Sequence, residues 1–138
     1  MNIAIRMTLI SCLALFTTAC QAQEGVESNA QRREREVAVA LDNMGVTLGE
    51  PVKSLFNFTV NSFNAINETN LIVTAGVHDH YLITLATPCL NLRYAFRVAL
   101  VSRTSTINTF DTIVVNSLHD MPERCSIDGI YRLNDKPE

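Results

Sequence analysis

The chain has 138 residues, four cysteines, no tryptophan and a formal net charge of −3. Removing residues 1–19, whose only charged side chain is Arg6, leaves ten basic and fourteen acidic groups, so the remainder is mildly acidic. That balance argues against a nucleic-acid partner, and the length allows one domain behind an export segment.

Arg6 supplies a minimal positive n-region, and Met7 to Phe16 is an apolar run too short for the roughly 20 residues that span a bilayer. Thr17-Thr18-Ala19-Cys20 resembles the lipobox of bacterial lipoproteins, with Thr17 where leucine is usual. The resemblance implies a lipidated Cys20 as mature N-terminus and attachment to a membrane through that lipid anchor. Gln21 is not the aspartate of inner-membrane retention, so the implied site is the outer membrane, facing the periplasm. Ordinary signal-peptidase cleavage after Ala22 is the competing reading.

Either route removes Cys12 and removes or modifies Cys20. Cys89 and Cys125 then remain as an even pair in an oxidising compartment, which predicts a disulfide. Closing that loop stabilises by roughly 3–4 kcal/mol in the chain-entropy model. The rival role for Cys89, a nucleophile, has no local motif behind it.

Gln21 to Asn29 reads as a polar tether. Asn29 to Met44 reads as a short amphipathic helix, with Val37, Leu41 and Met44 at helical spacing, Arg32 and Glu36 at i,i+4, and Gly45 as C-cap. The chain thus divides into a signal (1–19), a tether (20–29), a helix (30–45) and a β domain (46–138). From residue 52 the period becomes two. Expected strand faces are Phe56/Phe58/Val60, Leu71/Val73/Ala75, Tyr81/Ile83/Leu85, Phe96/Val98/Leu100, Phe110/Thr112/Val114 and Cys125/Ile127/Gly129/Tyr131/Leu133. Between Val60 and Asn70, Phe63 and Ile66 among asparagines suggest a short weak strand between turns. Thr87-Pro88 stops the strand Tyr81–Ala86 and suits the cap and first position of one helical turn after it. Gly129 marks a bulge or tight bend. The fold class expected is mainly β: a small antiparallel barrel or sandwich of about six strands, with an N-terminal helix and one helical turn after Cys89.

The ordered set Tyr81-Leu-Ile-Thr-Leu85, Pro88-Cys89-x-x-Leu92, Phe110-Asp111-x-Ile113-x-Val115 and Cys125-x-Ile127-x-x-Ile130 resembles a family of small Gram-negative lipoproteins of unknown function. The resemblance spans roughly residues 37–135, with Phe63 where that family's pattern has tryptophan. It implies fold and location and assigns no chemistry.

His78-Asp79-His80 follows Gly76-Val77; two histidines so spaced can begin a metal site with His119 or Asp120, but a polar hairpin turn explains them as well, and no metal or other cofactor is expected. Asp111 is expected to cap a turn or to pair with Arg93 or Arg97. Asn57 and Asn67 open Asn-x-Thr sequons. No GxSxG, HExxH, P-loop or dinucleotide fingerprint occurs, so no catalytic residue is assigned. The expected function is a non-enzymatic envelope lipoprotein that binds an envelope protein partner or has a structural role. The alternative is a periplasmic carrier of a small ligand or lipid. An apolar interior cavity favours the carrier; a filled core with exposed apolar surface favours the partner.

Overall fold

The structure, a computed structural model, describes residues 27–56, 60–118 and 120–137. The signal, Cys12, Cys20, most of the tether, Asn57, Phe58 and His119 lie outside the described residues. Helix α1 spans Asn29–Met44, as its periodicity predicts. Ser28 caps it reciprocally with Gln31: the Gln31 N–H donates to Ser28 Oγ (3.2 Å) and the Ser28 N–H donates to Gln31 Oε1 (3.0 Å). Gly45, with φ 68°, ends it in the left-handed conformation that glycine adopts without steric cost.

Nine strands follow among the described residues: β1 Val46–Pro51, β2 Ser54–Phe56, β3 Val60–Ala65, β4 Asn70–Ala75, β5 Asp79–Leu85, β6 Ala95–Val101, β7 Thr106–Asn108, β8 Thr112–Ser117 and β9 Glu123–Asp135. Six form one antiparallel path, β3-β4-β5-β9-β8-β6, that curls into a nearly closed barrel. Strand β9 is its axis. One edge pairs with β5 from Ile127 to Leu133. The other is shared: β8 takes Glu123–Ser126 and β1 takes Tyr131–Asp135. A separate ribbon, β2 with β7, puts Leu55 and Ile107 into the barrel core.

The sheet has two apolar faces. Inside the barrel lie Leu71, Val73, Ile83, Leu85, Ile113, Val115, Cys125, Ile127 and Ile130, among others. Outside, Ile72, Leu82, Leu133 and Val46 meet Leu41 of α1, with Val37, Ile66 and Tyr131 at the margin. Burying one such aliphatic side chain stabilises by about 1.5–3 kcal/mol, so the helix is held by a thin stripe. Met44, expected in that stripe, stays exposed at the helix end. The bulge expected at Gly129 is present: the β5–β9 register shifts between Thr84↔Gly129 and Leu85↔Ile127. The extra residue moves the inward positions from Cys125 and Ile127 to Ile130. Tyr131 and Leu133, expected on the Cys125 face, therefore turn toward α1.

Several expected faces are corrected. Leu55 is buried and Phe56 is 57% exposed, so that face is reversed. Phe96 is exposed, while Val98 and Leu100 pack against the core as expected. Phe110 lies in a turn rather than a strand, and Ile113 and Val115 point inward in place of Thr112 and Val114. A one-residue slip inverts the faces of β2 and β8, whereas in β6 the register shift between Ala95 and Arg97 turns Phe96 outward and leaves Val98 and Leu100 in place. Strand β1 lies before the expected start of the β pattern. Its Gly49 and Pro51 read locally as turn residues, and its pairing partners, from Val46↔Asp135 to Pro51↔Tyr131, are far away in sequence. The helical turn after Cys89 is a 3₁₀ turn over Leu92–Tyr94, headed by Asn91 rather than by Thr87-Pro88.

Gly49 allows β1 to lie close on β9. A Cβ there would meet Asn134 Nδ2 at 2.5 Å and the Arg132 carbonyl oxygen at 2.6 Å. At Gly129 the nearest atoms it would meet belong to side chains, of Thr84 and Tyr131, at 2.9 Å. Side chains can turn aside and a paired backbone cannot. Gly49→Ala is expected to lower stability by about 2 kcal/mol and Gly129→Ala by less, as read from urea unfolding midpoints. The reverse order would show that β1 does not seat on β9 in this register.

Candidate functional site

Two surfaces gather the polar and apolar groups singled out by sequence. The first is the corner around Cys89. The sulfur atoms of Cys89 and Cys125 lie at bonding distance, with Cα atoms 6.0 Å apart, inside the range a disulfide requires. Both residues are buried. With the two positions 36 apart in sequence, such a bond stabilises by about 4 kcal/mol in the chain-entropy model. Glu123, two residues before Cys125, accepts from the N–H groups of Leu90 (3.2 Å) and Asn91 (2.9 Å) and so caps the 3₁₀ turn from across the chain. The Cys89 N–H donates to the Glu68 carbonyl (2.7 Å), and the Leu85 N–H to the Thr69 carbonyl (2.8 Å).

The loop that receives those bonds is built on Asn67, a fully buried polar side chain. Its Oδ1 accepts from Thr69 N–H, Thr69 Oγ1 and Asn70 Nδ2 at 3.0 to 3.1 Å. Its Nδ2 donates to the Arg33 carbonyl of α1 (3.4 Å). The Asn67 sequon is thus part of the interior. Arg93, on the 3₁₀ turn, then binds Glu36 of α1 (2.9 Å) and Glu68 of the loop (2.7 Å). Glu36 therefore has Arg93 as its partner, where sequence spacing suggested Arg32. The Arg93 guanidinium holds the Glu36 carboxyl below its ordinary value. Glu68 is also held below its ordinary value, first by its own backbone N–H and then, against the opposing effect of burial, by Arg93.

The second surface surrounds Phe110. Asn108 to Asp111 form a tight turn in which the Asp111 N–H donates to the Asn108 carbonyl (3.1 Å). Asp111 Oδ2 accepts from the Asn108 N–H (2.8 Å), and the Ile127 N–H donates to the Asp111 carbonyl (3.0 Å). Asp111 is a turn cap, one of its two expected roles; Arg93 is engaged elsewhere. This turn holds Phe110 with 95% of its surface exposed. Beside it a groove of about 630 Å³ runs along Pro51, Val52 and Lys53.

The histidines are separated by the hairpin. His78 is exposed in the turn, whereas His80 is the second residue of β5, and its Nδ1 lies 3.0 Å from Thr74 Oγ1. Asp79 pairs with Arg132 (2.8 Å). Cys89, Cys125 and Glu123 are the close set of metal-type donors among the described residues. The two sulfurs face each other and Glu123 is already occupied by two N–H groups.

Fold and surfaces define a small, nearly closed antiparallel β-barrel with an external N-terminal helix and a corner where two cysteines lie at disulfide distance. Residues 1–137 match the family described as Family of unknown function (DUF6491), and the chain belongs to that family. No curated protein and no solved structure matches the chain.

The lowered Glu36 and Glu68 values set a pH dependence. A carboxylate whose folded value is depressed adds stability that is fully present above its unfolded value, about 4.3 for Glu, and is lost as pH falls through the lower folded value. These are partly exposed pairs, so Arg93→Met is expected to cost about 1 kcal/mol at neutral pH. The difference from the parent protein should shrink as pH is taken below about 4, in urea unfolding followed at several pH values. A loss that does not change with pH would mean that Arg93 acts through its stem alone.

Proposed function

We propose that the protein is a non-enzymatic lipoprotein of the bacterial envelope, anchored at the outer membrane through a lipidated Cys20 and facing the periplasm, whose barrel is a rigid platform for another envelope component. The anchor is supported by Thr17-Thr18-Ala19-Cys20 with Gln21 after it, and export by a cysteine pair at disulfide distance. The observation that carries the binding reading is the filled barrel. Leu71, Ile83, Leu92, Ile107, Ile113, Val115 and Ile130 occupy its interior with at most 1% exposure. A carrier of a small ligand or lipid needs interior volume that these side chains take up. Binding is left to the outer surface, where the Phe110 turn offers a rigid aromatic side chain beside a groove, the kind of residue that anchors interfaces.

Two measurements test this reading. Mass spectrometry of the mature N-terminus should find an acylated Cys20, and Cys20→Ser should leave an unprocessed or released protein; an unmodified terminus at Gln23 would reject the anchor. A photo-crosslinking amino acid at position 110 should give a discrete adduct in intact envelopes, with little from the same group at Val39 on the helix. Equal adducts at both positions, or a stoichiometric apolar ligand in native mass spectra of the purified protein, would reject the platform in favour of nonspecific contact or carriage.

A further inference from the structure

We propose that the barrel end carrying Leu90, Tyr94, Leu118 and Met121 rests in the membrane interface beneath the anchor, so that the domain sits on the lipid by that end. The inference rests on the lipoprotein reading above and adds the orientation and the lipid-contacting residues.

These four side chains are 71%, 77%, 78% and 86% exposed. They come from two neighbouring segments, the 3₁₀ corner and the β8–β9 connection. Glu123 joins the two by accepting from the Leu90 and Asn91 N–H groups. Ala95 pairs with Ser117, and Tyr94 and Leu118 line one groove of about 370 Å³ with Ser117 and Asp120. Exposed apolar groups gathered on adjoining segments mark a contact surface, whereas single ones do not.

The position of the tether selects lipid as the occupant. Helix α1 begins at this end: the Arg33 carbonyl meets the Asn67 loop, and Glu36 meets Arg93, the residue before Tyr94. It finishes at the other end, where the Gly45 carbonyl accepts from the Lys136 N–H. The chain therefore enters the domain at Ser28 on the same end as the apolar residues. The eight residues from Gln21 to Ser28 can reach at most about 29 Å from a lipid on Cys20. The opposite end, with Val77, lies a further 24 Å or so away, the length of a 16-residue helix. A short link to the bilayer holds the near end at high effective concentration beside it, so a surface too weak to bind membranes alone is sufficient.

The side-chain chemistry agrees with an interface. Leucine and methionine insert among acyl chains, and a tyrosine places its ring at headgroup level with the hydroxyl in water. The charged groups around the patch are of both signs: Asp120, Glu123, Arg93 held by two glutamates, and Arg97. Arg32, Arg33 and Arg35 at the start of α1 are matched in number by Glu27, Glu34 and Glu36, so contact depends on apolar insertion more than on anionic lipid and should withstand salt.

The absence of tryptophan allows a direct test. Met121→Trp, Leu118→Trp and, at the far end, Val77→Trp are introduced singly into the full chain. Each is processed in cells and reconstituted into phosphatidylethanolamine–phosphatidylglycerol vesicles containing a brominated phosphatidylcholine. The expected result is a blue-shifted emission for Met121→Trp and Leu118→Trp, quenched at least about twofold more strongly than Val77→Trp and unchanged by salt. The mass of the N-terminal peptide is read on the same samples. Acylated protein with equal quenching at the two ends would overturn this inference and leave the anchor standing, assigning the patch to a protein partner. A non-acylated terminus would overturn the anchor itself, and the inference with it. Two near-end positions keep the result readable if one substitution disturbs the fold.

Discussion

The corner at Cys89 is the constraint on which the other parts depend, because five separate segments meet at it. The cysteine pair ties the exit of β5 to the start of β9. Glu123 holds the 3₁₀ turn to the same strand, and the backbone of Glu68 and Thr69 holds the β3–β4 loop to the β5 exit. Arg93 then reaches back to α1 through Glu36. A small domain buries a limited fraction of its surface, and one covalent link at such a junction contributes a large share of its stability. Without it, the apolar residues of β9 would still favour the barrel, but the turn, the loop and the helix would lose their shared attachment.

Strand β9 turns that attachment into a fold. It is long enough to carry β8 and β1 in succession along one edge while β5 occupies the other. The bulge at Gly129 lets the strand serve both apolar surfaces. Before it Cys125 and Ile127 face the barrel; beyond it Tyr131 and Leu133 face α1. Strands β4 and β5 do the same without a bulge, with Val73 and Ile83 inward and Ile72 and Leu82 outward. The helix is therefore bound to a sheet whose second face is already apolar, and a thin stripe of Val37 and Leu41 suffices to dock it.

The parts legible in the sequence are those with local causes. Helix α1 has its period and a glycine stop, and Ser28 with Gln31 was a further readable signal, a capping box, that the periodicity left unused. Strands β4, β5 and β9 carry alternation strong enough to place, and the cysteine pair is legible as the even pair left once Cys12 and Cys20 are set apart. At the edges aromatic bulk is a poor sign of burial: Phe56, Phe96 and Phe110 face outward, and the smaller Leu55, Ile113 and Val115 fill the interior. A barrel this narrow accommodates aliphatic side chains more readily than rings. Strand β1 and the Glu36–Arg93–Glu68 group were not legible at all, since each is made by residues far apart in sequence with no local signature. The candidate surfaces follow the same rule. Phe110 and Asp111 were noticed as a motif, but that the motif is a capped turn displaying the ring depends on Asn108 and Ile127.

Thiol labelling decides whether Cys89 and Cys125 are joined in the protein made by cells. Protein recovered from cells is unfolded in denaturant without reductant, treated with an alkylating agent and weighed. A closed pair gives no label on Cys89 or Cys125 before reduction and one on each after it. Labels on both before reduction would show that the pair is open, and the shared attachment of β5, β9, the β3–β4 loop and α1 would have to be explained by other contacts.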